Sequence, residues 1–538
     1  MQLNVLVLLI VFAMVALTAL TSLAARRLHV PQSILLVIVG ALIAFVPRFP
    51  PPKLDPNLVL LVLLPPLLYI SGVGMSWRAF RRNLRPIMLL AVGCVLFTAS
   101  AVAAAMHWLL HLPWAVGFVL GAVVSPPDAV APMAIARRLA VPTRILNVLE
   151  GEGLVNDATA LILFSYAVGA VVTGGVSVAD AAVSFSLIVV TEILWGVALA
   201  WALLHLRAWS KDPEVEMILA LLTPFAAFWP PHFLGGSGVL AAVAAGLYTS
   251  WNGPRLISPD TRLQGFFVWG LAGYLVEGIV FFLTGLQSRL VIEGPDAGEW
   301  RHLAVAVAVT AAVVFIMRFV WVFPATYLPW LLGSRRTPCP DWRAIFLVAF
   351  TGIRGVVSLV AALSVPEFVG AHEFPDRDLI LFVTFCIILL SLIGQGAALP
   401  SLIRALGLDR AGDAEAKEAK RNELAARAVA ARAALDRLDE LAGKGVPVRA
   451  LDTLRRVHED RQLDFVQTAD DSFEGSPAAD VARIQVELVA AERASIAAQF
   501  AAGNLTDEAR RRIERELDLE VARVRHAADS AGHGFSEI

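Results

Sequence analysis

The chain runs to 538 residues, of which 57% are hydrophobic and only 17% charged, whereas a soluble domain carries about 25% charged residues. With a mean hydropathy of +0.69, this excludes a soluble enzyme and reads as an all-α polytopic membrane protein. The formal net charge of −2 points to no partner class, and no nucleic-acid partner or cofactor is expected.

Apolar runs of roughly 20 residues, the length that crosses a bilayer, recur along residues 3–402. About thirteen spans are expected, near 3–24, 31–47, 57–74, 86–110, 113–137, 145–173, 181–206, 213–230, 236–249, 264–288, 302–331, 343–366 and 378–403. The first resembles a signal peptide, but its first positive charges, Arg26 and Arg27, follow the apolar run. That order points to an uncleaved span with its N-terminus outside. Three cysteines, Cys94, Cys339 and Cys386, lie far apart and out of metal-ligand spacing; Cys94 and Cys386 fall in apolar spans and read as buried structural thiols.

Loop charges alternate. Arg26/Arg27, Arg78/Arg81/Arg82/Arg85, Arg137/Arg138/Arg144, Arg207/Lys211, Arg255/Arg262 and Arg335/Arg336/Arg343 fall on one side, while loops 293–299 and 367–378 are acidic. The positive-inside rule places the basic set, and the C-terminus with it, in the cytoplasm. A transmembrane domain over 1–405 and a cytoplasmic helical tail over 406–538 follow. The tail is rich in Ala, Glu, Asp and Arg, with helical periodicity in 425–441, 481–500 and 507–528. Thr506 is a candidate N-cap, and charges near Arg511–Glu516 are spaced for pairing one turn apart.

Two segments carry chemistry. The fifth span is interrupted by Pro126, Pro127 and Pro132, with Asp128 at the break. Prolines can be simple kinks, but two adjacent prolines and an acid at mid-depth free backbone carbonyls, tolerated only in packed protein or along a cavity. A second break, Thr351-Gly352-Ile353-Arg354-Gly355, falls in the twelfth span. Paired interruptions point to a transporter of two inverted repeats with crossed broken helices; spans two to seven and eight to thirteen are taken as the halves, with each break in the fourth span. Half-helices meeting at mid-membrane present positive N-terminal and negative C-terminal ends; Asp128 is placed to neutralise the former and Arg354 the latter.

The sixth span carries Glu150, Glu152, Asn156 and Asp157. Ionisable groups inside a span point by default to an ion pathway. Glu152 and Asn156, four apart, share a face; Asp157 is turned about 100° away. Arg318, mid-span in FIMRFVWVF, is the expected partner of Glu152 in a structural ion pair. Asp157 then stands without a fixed partner, and a proton and a metal cation can compete for it. Glu277, in EGIVFFLTGLQ, either lines the cation route or pairs with a base. Glu192 reads as structural, and His107, His111 and His205 as span-end residues without a role. No P-loop, dinucleotide fingerprint, zinc cluster or nucleophile elbow is evident, so ion gradients drive transport.

PPDAVA at 126–131, EGEGLVNDATALILF at 150–164, EGIVFFLTGLQ at 277–287 and FTGIRGVVSL at 350–359 resemble the sodium/proton exchangers of the monovalent cation:proton antiporter-1 family; the tail is similar to that of bacterial members. The resemblance implies a dimerisation domain and a mobile core in a homodimer of the bacterial inner membrane, with elevator-like alternating access. It implies that Asp157 binds sodium or the proton, that Asp128 is its companion, and that Asn156 joins a polar network with Glu152 and Arg318. It also implies exchange of one cation for one proton. Two positions depart from the family pattern: Pro127 precedes Asp128 where Thr-Asp-Pro is usual, and Gly153 stands in a serine's place. Each removes a hydroxyl ligand, which leaves sodium, lithium and potassium open. Rival readings are a potassium/proton antiporter, an ion channel, and a membrane ion or pH sensor signalling through the tail.

Overall fold

The computed structural model describes residues 2–28, 31–46, 56, 59–175, 177–210, 212–289, 300–332, 340–369, 372–442, 448–470, 477–502 and 504–530. Cys339, Lys211, Arg335, Arg336 and the acidic loop 293–299 lie outside the described residues.

Helix is what an apolar chain must form where no water can satisfy its backbone. In order, the helices are α1 (Gln2–Leu28), α2 (Gln32–Ala44), α3 (Val59–Gly74), the short α4 (Trp77–Arg82) and α5 (Leu84–Leu110). The first interrupted pair follows, α6 (Trp114–Val124) and α7 (Val130–Arg138), and then α8 (Thr143–Thr173) and α9 (Val178–Ser210). Next come α10 (Pro213–Phe233), α11 (Val239–Leu256), α12 (Pro259–Leu286) and α13 (Trp300–Leu332). The second interrupted pair is α14 (Trp342–Phe350) and α15 (Val356–Leu363); a small hairpin, β1 (Phe368–Val369) and β2 (His372–Glu373), leads to α16 (Arg377–Ala405). Among the described residues, six helices, α5, α8, α9, α12, α13 and α16, are long and apolar enough to cross a membrane by length and composition. Exposed Leu187, Leu194, Trp201, Phe266 and Phe267 on α9 and α12 are the surface a lipid-facing helix presents.

Two features correct the sequence reading. Pro132 is not part of the break: it lies in the first turn of α7, where a missing N–H leaves nothing unpaired. The expected placing of each break in the fourth span of its half was also miscounted. Counted along the chain, the interrupted stretches are the fifth and the twelfth, so spans two to seven and eight to thirteen put the breaks fourth and fifth. Division into one to six and eight to thirteen puts both fifth. The short α4, the hairpin and π-helical turns at Val59–Leu63, Leu89–Cys94 and Leu390–Gln395 were not anticipated.

Close packing positions the site. α2 meets α12 at Gly40 and Gly285, and α3 meets α11 at Gly72 and Gly246; a Cβ at any of these would strike the facing backbone. At one end of α11, the buried Glu192 of α9 accepts hydrogen bonds from the backbone N–H groups of Ser237, Gly238 and Leu240 and from the Ser237 hydroxyl, at 2.5–3.1 Å. It caps the helix start, as its structural reading anticipates.

Contacts divide the chain into two compact units, Met1–Asp413 and Ala414–Ile538. The second comprises most of α17 (Leu408–Ala442) with α18 (Val448–Asp470), α19 (Pro477–Ala501) and α20 (Asp507–Ser530). Arg455 pairs with Asp439 and Arg427 lies over Phe465, joining α18 to α17; Arg493 pairs with Asp518 and Arg510 lies over Phe500, joining α19 to α20. Thr506 accepts the Ala509 N–H at 3.3 Å as the N-cap of α20. The predicted tail pattern omitted α18.

Candidate functional site: the crossing of the interrupted helices

Pro126 and Pro127 lack backbone donors and disfavour helix before them, so α6 stops at Val124 and α7 restarts at Val130. α14 stops at Phe350, and residues 351–355 run without helix to α15. The two breaks are joined where the Asp128 N–H donates to the Ile353 carbonyl at 2.6 Å.

Each helix end at the crossing meets a group of opposite sign, as dipoles in a dry interior require. On the negative side, Arg354 donates from Nε to the Val124 carbonyl at 2.8 Å, from Nη2 to Ser125 at 3.3 Å and from Nη1 to Gly352. Its own N–H donates to the Ser391 hydroxyl at 2.9 Å. Arg318 of α13 donates from Nε and Nη2 to the Val348 carbonyl, near the end of α14, at 3.3 and 3.1 Å. On the positive side, Asp128 Oδ1 accepts the Val130 N–H that opens α7, at 2.9 Å. The same carboxylate fills the place a Cβ on Gly355, before α15, would occupy.

α8 passes beside this crossing. Glu152, 2% exposed, grips Arg318 through both oxygens at 2.6 and 2.8 Å. Asn156 is fully buried, and its amide donates to the Pro127 carbonyl at 2.5 Å. It therefore bonds the break, where the Pro127 carbonyl has lost its helical donor; no hydrogen bond from Asn156 to Glu152 or Arg318 is present among the described residues. Asn156 Oδ1 has no hydrogen-bond partner among the described residues.

Asp157 is half-buried, makes no ion pair among the described residues, and feels the charge of Asp128. Glu277 of α12 is half-buried and likewise feels Asp128; among the described residues it pairs with no base. The breaks thus bring together Asp128, Asp157, Asn156 and Glu277, with Arg354 tied to backbone and Arg318 occupied by Glu152. Beyond Asp157 on α8, Leu161, Phe164 and Ser165 line a cavity of about 320 Å³, lined also by Leu60, Ile188, His232 and the turn 235–237.

Some of this was not foreseen. Ser391, the second role of Arg318 at Val348, and Cys94, buried beside Arg318 and Glu152, were missed. For Ser391 the available signal was a lone hydroxyl inside an apolar run.

Asp157 and Glu277, without an ion pair among the described residues, thus stand near a crossing whose helix ends are met by Asp128, Arg318 and Arg354, and the architecture is that of a membrane antiporter. The solved sodium proton antiporter MjNhaP1 of Methanocaldococcus jannaschii superposes on 76% of this chain and 99% of its own with a TM-score of 0.59, at 18% identity. The family model described as sodium/hydrogen exchanger, transmembrane, matches residues 12–405. An uncharacterized Na(+)/H(+) exchanger of Mycobacterium tuberculosis is 33% identical, over 97% of both chains. A sodium, potassium, lithium and rubidium/H(+) antiporter of Bacillus subtilis is 32% identical, over 73% of this chain and 61% of its own. The chain belongs to the sodium/hydrogen exchanger family, whose members are ion transporters of the membrane.

Proposed function

We propose that this protein exchanges sodium for protons across the plasma membrane, one for one, at Asp157. The observation that carries the reading is that Asp157, near Asp128 of the crossing, makes no ion pair among the described residues, while the guanidinium groups of Arg318 and Arg354 are both committed elsewhere. A lone carboxylate there gains from either a proton or a cation, not from both together, so one positive charge replaces another. Asp128, held by the N-terminal ends of α7 and α15, is the companion countercharge. The free Oδ1 of Asn156 is a neutral oxygen that hard monovalent cations accept, and Glu277 flanks the route from α12.

The remaining features of the reading are thirteen spans, two inverted repeats, a homodimer with a mobile core, an external N-terminus and a cytoplasmic tail. The paired glycine contacts support the repeat. Numbered by stretch they are two with ten and three with nine, and division into one to six and eight to thirteen exchanges each for the other. Exchange of potassium is a second reading: the Bacillus subtilis relative carries potassium in its name, and Gly153 offers no hydroxyl to sharpen selectivity.

The test is dye-quenching of proton flux in everted vesicles with sodium, lithium and potassium added singly. A sodium-dependent signal that vanishes in Asp157→Asn is expected. Wild-type exchange by Asp157→Asn would remove Asp157 from the mechanism.

A further inference from the structure

Glu150 stands seven residues before Asp157 on α8, two turns away and on the same face, about 10 Å along the axis. Seven residues beyond Asp157 in the other direction, Phe164 lines the cavity. One stripe of α8 therefore runs from Glu150 through Asp157 to that cavity. Glu150 is not at the lipid surface: its carboxylate lies 3.8 Å from where a Cβ on Gly74, at the end of α3, would stand. Both its oxygens accept from Arg137 Nη2 of α7, at 3.1 and 3.2 Å. The side chain of Glu150 is 17% exposed and that of Arg137 61%, so a largely buried acid is held by a base that reaches solvent. α4, with Arg78, Arg81 and Arg82, packs on the same end of α8, and Arg138 and Arg144 flank it in sequence. The exchange mechanism uses neither member of the pair.

We infer that Glu150 is the capture carboxylate for the cation on the basic-loop face, with Arg137 as its lock. The inference rests on the reading of Asp157 as the exchange site. Guanidinium and arriving cation compete for the same two oxygens. An arginine with a solvent-exposed side chain can be displaced into water, and Glu150 then holds the cation two turns from Asp157 in surroundings that otherwise repel it.

The experiment measures the KM for the best-exchanged of sodium, lithium and potassium, using the full-length protein in right-side-out and everted vesicles. Glu150→Gln raises KM about fivefold or more at one face only, with a maximal rate within about twofold of wild type. Arg137→Gln lowers KM at that same face by about twofold or more, because the lock is gone. If Glu150→Gln leaves KM unchanged, alters it equally at both faces, or behaves as Arg137→Gln does with a common loss of thermal stability, the pair only braces α7 against α8 and the inference is overturned. Loss of the Asp157 reading is distinguishable, since it shows as undiminished exchange in Asp157→Asn.

Discussion

The carboxylate of Asp128 occupies the space that a side chain on Gly355 would need. One acid thereby serves two helix starts, α7 through the Val130 N–H and α15 through this direct approach. Gly355 has an extended backbone, φ −134° and ψ −148°, so a larger residue is excluded by its neighbour and not by its own conformation.

Gly355→Ala is accordingly expected to push Asp128 off the α7 terminus while the fold survives. A displacement of this kind near a reacting group costs on the order of a hundredfold in rate. Vesicle flux together with a thermal melt measures both halves of the statement. Near-wild-type flux would show that Asp128 has room to spare.

Arg318→Ala leaves Glu152 charged, buried and alone, and leaves the Val348 carbonyl with the Thr351 hydroxyl in place of the guanidinium donors it loses. Breaking a buried pair from one side costs about 3–5 kcal/mol, to be read as a loss of thermal stability in detergent. Glu152→Leu combined with Arg318→Met leaves no stranded charge and is expected to melt above either single variant. A double variant less stable than both singles would mean that the pair does more than neutralise itself.

Gly153 packs against the first break so closely that a Cβ there would lie 2.6 Å from the Ala129 methyl. Introducing the family's hydroxyl by Gly153→Ser is therefore expected to impair exchange, although it adds an oxygen ligand. Adding Ala129→Gly removes the overlap and should recover flux, with the sodium-to-potassium preference as the second readout. Gly153→Ser alone exchanging at full rate would contradict the packing account.

In the tail, the Arg510 guanidinium holds the Asp507 carboxyl below the usual carboxylate range. A depressed acid contributes stability above its unfolded value and loses it as pH falls through its folded one. The α20 start should thus weaken only in acid, and Asp507→Asn should flatten that dependence. Thr506→Ala, which removes the N-cap oxygen, should cost about 1 kcal/mol at all pH values. Hydrogen exchange across α20 measures both.

The crossing was legible in the sequence because prolines, glycines and charges stand out in apolar spans. The assignment of Asp128 to the positive ends and Arg354 to the negative ones needs only the polarity of a helix. What stayed hidden depends on which distant residues packing brings together: the Val348 carbonyl under Arg318, the Pro127 carbonyl under Asn156, Ser391 behind Arg354. Pro132 was misplaced because composition does not say where a helix resumes. α18 was overlooked because its charge density, as in RRVHEDRQLD, reads as solvated chain.

The glycine contacts that join α2 to α12 and α3 to α11 have a mechanical consequence. Backbones touching through bare Cα atoms leave no cushion of side chains to deform, so these four helices resist sliding past their partners. Relative movement of the helices is therefore expected along seams padded by bulkier residues.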